Sequence, residues 1–241
     1  GTSLGVLIPK EFVEKEVSIP FDLTQLPLIR ACLLQLDNLR HVLVITIHQF
    51  LIDGWSMDIF YSELARFYNE KQTQNNLPIL PIQYKDYAIW QNNKLNDKSL
   101  AEQILFWKKE LKEAPKIINL QTDRVRPAVF SYNGQVYTKF ISLSDLTQIH
   151  LYCTAQNTTL FMVLLSAYSI MLCLLSKEND IVIGSPIANR RFIELENLVG
   201  FFVNLIPLRI KLDLCSTFSE LTNNIKNVTL AAYNNQDLPF L

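Results

Sequence analysis

The chain is short of the residues that mark most metal, redox and disordered proteins. Among its 241 residues are only 3 histidines, 4 cysteines and 6 glycines. His41, His48 and His150 are too few and too scattered for a histidine-based metal site. Cys32, Cys153, Cys173 and Cys215 show no metal-clip spacing. The first three lie in apolar runs, where a free thiol packs as a small hydrophobe. No disulfide framework is expected, which agrees with a reducing cytoplasm. Charge of one sign is lacking too: the formal net charge of -1 excludes the basic surface of a general nucleic-acid binder. The local clusters Lys108-Lys109-Lys112 and Arg190-Arg191 read as solvated faces. No low-complexity tract, internal repeat or signal-peptide pattern is present. The most apolar run, Leu160–Leu175, is broken by Ser166, Tyr168 and Ser169 and falls short of the roughly 20 residues a bilayer crossing needs. It reads as a buried helix.

What is present is a large apolar complement, 49% hydrophobic and 11% aromatic, ample for a sizeable core. Ile8–Ser18 offers no clear element start. Ala31–Leu36 and His41–His48 are β-rich runs separated by Asp37-Asn38, which predicts an antiparallel hairpin. The second run is nearly all apolar and is expected to be buried on both faces. Asp53-Gly54 breaks the chain, and Ser56 is expected to cap a helix through about Tyr68. After turns at Pro78 and Pro81, helices are predicted near Tyr84–Leu95 and Leu100–Lys112. The polar stretch Asn119–Pro127 marks an expected lobe boundary. Beyond it come a strand at Gln135–Ile141, a helix capped by Ser144, a buried helix from about Thr159 and a strand at Asp180–Ser185. A long strand at Phe202–Leu212 leads to a last helix opening on the capping-box spacing Thr217-x-x-Glu220. Strands and helices mix without strict alternation, an α+β pattern.

The most suggestive cluster ends the apolar strand: Ile47-His48-Gln49-Phe50-Leu51-Ile52-Asp53-Gly54-Trp55-Ser56. An imidazole leaving a hydrophobic strand sits where its proton affinity is tunable, and a carboxylate five residues on is placed to fix the loop through an arginine. Taken alone, the cluster reads more readily as a structural histidine followed by a common Asp-Gly turn.

The stretch resembles the His-His-x-x-x-Asp-Gly motif of condensation domains of nonribosomal peptide synthetases, in the chloramphenicol acetyltransferase-like superfamily. Further elements resemble that family in order. They are Tyr84-Lys85-Asp86-Tyr87-Ala88-Ile89-Trp90, Asp123-Arg124-Val125-Arg126-Pro127, Val199-Gly200-Phe201-Phe202-Val203-Asn204 with Leu208-Arg209, and Asn235-Gln236-Asp237-Leu238-Pro239-Phe240. Phe161–Leu175 and Ile181–Pro186 read like the family's second-lobe helix and strand.

The resemblance implies a two-lobed fold. Residues 1–120 would be the C-terminal part of an incomplete first lobe, and residues 121–241 a second lobe truncated at its C-terminal end. It implies amide formation between a donor acyl or peptidyl thioester and an acceptor aminoacyl thioester. Both would be carried on phosphopantetheine arms of upstream and downstream peptidyl carrier proteins, beside an adenylation domain of the same synthetase. No bound cofactor, metal, nucleic acid or membrane is implied.

In the family the second histidine of the motif sits beside the reacting amine. Counting back from Asp53-Gly54, the first histidine is His48, expected to be structural, and Gln49 stands at the catalytic position. Asp53 is expected to pair with Arg30 or Arg209. Gly54 is expected to permit a conformation or close approach that a side chain would block. Trp55, Ser56 and Asn204 are candidate substrate contacts. Packing is the alternative for Trp55, capping for Ser56 and a buried structural hydrogen bond for Asn204. Trp90 is expected to pack. A carboxamide both donates and accepts hydrogen bonds but takes up no proton near neutral pH. Weak or silent catalysis is therefore expected. The competing readings are an active enzyme that tolerates Gln49, a non-catalytic platform for carrier or partner proteins, an epimerisation domain, and a stand-alone acyltransferase.

Overall fold

The computed structural model describes residues 10–69, 79–95, 98–125, 127–129, 131, 134–213 and 216–239. The turn at Pro78, Arg126, Cys215 and Phe240 lie outside the described residues. The chain forms two compact units, Gly1–Asn92 with Ala188–Val203, and Asn93–Ile187 with Asn204–Leu241. The polar stretch Asn119–Pro127 falls within the second unit.

In the first unit, helix α1 (Lys10–Ser18) precedes the predicted hairpin, β1 (Ile29–Gln35) against β2 (His41–Ile47). The strands are antiparallel in a register running from Ile29↔Ile47 to Gln35↔His41. The turn closes as Asp37 Oδ1 accepts from the backbone N–H groups of Leu39 and Arg40, each at 2.9 Å, the local hydrogen bonding that makes aspartate a turn residue. The expectation that β2 is buried on both faces is corrected: its residues alternate between exposed and half-buried as far as Val44. Among the described residues no third strand pairs with this hairpin, so an apolar run here does not mean a central strand. A 3-10 turn (Gln49–Leu51), α2 (Gly54–Asn69) and most of α3 (Tyr84–Lys94) follow.

The second unit is built on β3 (Asp180–Ile187) paired antiparallel with β4 (Asn204–Lys211), from Asp180↔Lys211 to Ile187↔Asn204. Helices α4 (Lys98–Glu110), α5 (Leu143–Ala155), α6 (Leu160–Ser176) and α7 (Phe218–Asn234) complete it. The core brings Ile181, Ile206, Leu208 and Ile210 of the strands against Ile225 of α7 and Met162, Leu165 and Leu172 of α6. The serines that interrupt α6 are fully buried. Ser166 and Ser169 donate to the carbonyls of Met162 and Leu165, one turn back, so their hydroxyls add no unmet polarity to the core. No single helix is long and apolar enough to cross a membrane among the described residues. Cys153 and Cys173 are buried free thiols and Cys32 is half-buried, as their apolar settings predict.

Thr217 caps α7 and forms the full reciprocal box with Glu220, as the spacing predicts, and α6 starts where expected, with Thr159 as its cap. The cap of α5 is Ser142 rather than Ser144: its Oγ accepts from the Asp145 N–H at 3.1 Å. The strand expected at 135–141 does not form. A β-rich run becomes a strand only where a neighbour completes its ladder, and none of the described residues does so here.

Candidate active site

The strand-end motif is held by a buried polar knot inside the first unit. Asp53 sits at the head of α2, where its Oδ1 accepts from the Ser56 N–H at 2.8 Å, the geometry of an N-cap. Its Oδ2 accepts from the Phe202 N–H at 3.0 Å. Arg190 Nη2 lies 3.1 Å from Oδ1 and 3.4 Å from Oδ2. Both side chains of this ion pair are 1% exposed. Arg190 Nη1 donates to the carbonyls of Leu195 and Leu198, and Nη2 also donates to Ser56 Oγ at 2.6 Å. The guanidinium lies 4.1 Å over the Phe202 ring, a cation–π contact. Its Nε is buried without a hydrogen-bond partner among the described residues. Burial pushes the Asp53 carboxyl upward, but the backbone N–H groups of Ser56 and Phe202, together with the Arg190 charge, outweigh it. The net shift is below the ordinary carboxylate value.

This arrangement corrects the expected pairing. Asp53 meets neither Arg30 nor Arg209. Arg30 pairs with Glu16 at 3.3 Å and lies over the Phe21 ring. Arg209 holds Asp180 at 2.6 Å and donates to the carbonyls of Glu110 and Lys112. Strand arginines already engaged nearby have no reach left for a distant carboxylate. Arg190, read in sequence as half of a solvated basic pair, is the partner; only Arg191 is exposed. The one sequence signal was its place, directly after the uncharged run Ile181–Asn189.

Gly54 is corrected as well. A Cβ there meets nothing within 4 Å, and no glycine has a positive φ among the described residues. The close approach occurs at Gly200 instead. A Cβ at that position would overlap the Tyr84 ring and fall 2.9 Å from Phe202 Cε2. Tyr84 donates to the Phe201 carbonyl at 2.8 Å and stacks edge-on against Phe202. Tyr84 and Gly200 thus lock the Phe201-Phe202 backbone, which supplies one of the Asp53 hydrogen bonds.

Ser56 is not a cap. It is fully buried, exchanging hydrogen bonds with Gly200 through N–H to Oγ at 3.0 Å and Oγ to carbonyl at 2.8 Å. Its hydroxyl is committed to the knot. Trp55 is half-exposed, with Nε1 donating to the Glu196 carbonyl at 2.9 Å. Asn204 lies in the second unit. Its Nδ2 donates to the carbonyls of Gln236 and Leu238 at 2.9 and 3.0 Å, a structural role. Trp90 packs on α3 against Tyr87 and Phe192.

His48 caps the 3-10 turn: its Nδ1 accepts from the Phe50 N–H at 3.2 Å, and its ring is edge-on to Phe21 and Phe50. An accepting Nδ1 places the ring proton on Nε2. Gln49 is the first residue of that turn and is exposed. The knot therefore anchors the far end of a short loop, His48 anchors the near end, and Gln49 stands between them, open to solvent. Its carboxamide is equipped to orient a donor or an acceptor, not to take a proton. Among the described residues no cluster of three or more His, Cys, Asp or Glu side chains is placed to hold a metal.

Comparison with known proteins agrees with this geometry. The family model described as "Condensation domain" matches residues 8–241. Malpinin synthetase of Mortierella alpina is 41% identical over 233 residues, 96% of this chain but 3% of that protein. The X-domain from teicoplanin biosynthesis, in complex with OxyB, superposes with a TM-score of 0.87 at 26% identity, covering 95% of this chain and 52% of that one. A four-domain nonribosomal peptide synthetase bound to AMP and glycine superposes with a TM-score of 0.84 at 29% identity, covering 95% and 17%. This chain thus spans about half of the X-domain and a small part of each synthetase. With a family match over nearly its whole length and the same α+β fold, the chain belongs to the condensation-domain family.

Proposed function

We propose that this chain is part of a nonribosomal peptide synthetase condensation domain whose chemical step is impaired by Gln49. The reaction joins an acceptor amine to a donor thioester. The amine nitrogen attacks the thioester carbonyl, the C–S bond breaks, the sulfur leaves as a thiol, and an amide remains on the acceptor arm. The ammonium-like nitrogen of the intermediate must lose a proton on the way. A motif imidazole would accept it or hold the amine in line, whereas a carboxamide offers only alignment. With Gln49 the proton passes to water or to the departing sulfur, without a fixed acceptor. A lost general base typically costs about 10²–10⁴-fold in rate.

The observation that carries the reading is the intact anchor. Asp53, Ser56, Gly200 and Arg190 are knitted together below the loop, so the scaffold that displays the motif is present and only the displayed group differs. Substrates on phosphopantetheine arms of flanking peptidyl carrier proteins, an adenylation domain in the same synthetase and a cytoplasmic setting follow from the same reading.

The second reading, a non-catalytic platform, draws support from the complex of the similar X-domain with OxyB. Gln49→His in the full-length protein, assayed for amide formation with loaded carrier proteins, separates the two. A gain of about 10²-fold or more supports an impaired enzyme. Equal and robust turnover by both forms rules out impairment. No turnover by either, with carrier binding retained, favours the platform.

A further inference from the structure

The first unit carries an apolar groove that the condensation reading does not use. It has a volume of about 340 Å³ and lies where α3 meets the 192–195 segment. Tyr87 and Leu195 form its buried floor, and Trp90 and Phe192, 40% and 47% exposed, stand edge-to-face along its wall. Asp86 and Glu194 also line it, and no cationic side chain does among the described residues. Asp86 is fixed at the head of α3, its Oδ2 accepting from the Gln83 N–H at 2.8 Å.

A second groove of about 550 Å³ opens further along the same segment, beside half-exposed Trp55. Asp58, Glu63 and Glu196 line it, with Arg66 as its one cation among the described residues. The two grooves thus share a rim at residues 194–196. Exposed indole and phenyl rings beside apolar pockets are the composition of protein-binding hot spots. Carboxylates surrounding such rings attract cations and repel acidic partners.

We infer that this face docks a basic amphipathic segment of a partner protein, a large apolar side chain entering the Trp90–Phe192 groove while flanking lysines or arginines meet Asp86, Glu194 and Glu196. The inference requires no turnover at Gln49, so it stands whether the domain is active or silent. An acidic surface on a partner does not suit this face.

The test uses the full chain and two labelled peptides, each with a central tryptophan, flanked in one by lysines and in the other by glutamates. Fluorescence anisotropy reads their binding. The lysine peptide is expected to bind and to weaken at least about tenfold when added salt screens the carboxylates. Phe192→Ala should weaken it similarly. Glu194→Lys combined with Glu196→Lys, both at exposed positions, should reverse the preference towards the glutamate peptide. Loss of folding cannot produce such a reversal. Equal binding of both peptides, no binding of either, or a preference unmoved by the charge swap overturns the proposal. Self-association of the chain that Glu194→Lys abolishes would assign the face to a second copy and overturn it as well.

Discussion

Arg190→Ala is the perturbation that most directly probes the anchor. In the native chain both members of the ion pair are 1% exposed, so surface-pair values do not apply. Removing one partner of a buried pair typically costs about 3–5 kcal/mol, because the remaining charge stays buried without compensation. Asp53 would retain two backbone donors, Ser56 N–H and Phe202 N–H, which limits the loss. The Leu198 carbonyl would lose its donor, at about 1–3 kcal/mol for an acceptor left dry, whereas the Leu195 carbonyl keeps the Leu198 N–H and Ser56 Oγ keeps the Gly200 N–H. Urea unfolding followed by tryptophan fluorescence is the assay. Trp55, whose ring lies 5.9 Å from the Arg190 guanidinium carbon, serves as a local reporter. The midpoint should fall with little change in slope. Arg190→Lys should restore little, since one ammonium cannot span two carbonyls, a carboxylate and a hydroxyl. The double variant Arg190→Ala, Asp53→Ala should cost less than the two single losses combined, because neither charge is then left buried alone. A loss under about 1 kcal/mol for Arg190→Ala, the range of exposed pairs, refutes the argument.

Two glycines should behave in opposite ways. Gly200→Ala must displace the Tyr84 ring and is expected to cost about 1–3 kcal/mol by overpacking. Gly54→Ala meets open space at a helix start and should shift stability by no more than about 0.5 kcal/mol; thermal unfolding of both checks this. Asp53 and Asp180 are held below the ordinary value of 3.8 in the folded chain. The unfolded chain therefore binds more protons as acid is added. Their stabilisation is complete above that value and is lost as pH falls through it towards the folded-state values. Unfolding midpoints measured from neutral pH into acid should show that decline, and Arg190→Ala, which removes one cause of the lowered Asp53 value, should make the Asp53 part smaller and end it at higher pH. Thr217→Ala removes one half of the α7 capping box and should cost about 1 kcal/mol, read by urea unfolding.

The sequence by itself determined most of the local architecture. Thr159 and Thr217 mark their helix starts because a cap is a contact across three residues, complete within one element. The hairpin is legible for the same reason: Asp37 bonds to the backbone of its own turn. Gln49 at the motif's second position is also a statement of sequence alone. The departures share another cause. Asp53 and Arg190 lie 137 residues apart in the chain, and local pattern does not reveal which of several arginines arrives at a carboxylate. Gly200 resembles any other glycine until Tyr84 occupies the space its side chain would need. The apolar run of β2 and the β-rich stretch at 135–141 predict faces and ladders, but only neighbouring strands decide whether those are filled. Composition and spacing choose the elements; tertiary packing alone chose the cation that neutralises Asp53, and with it what holds the loop presenting Gln49.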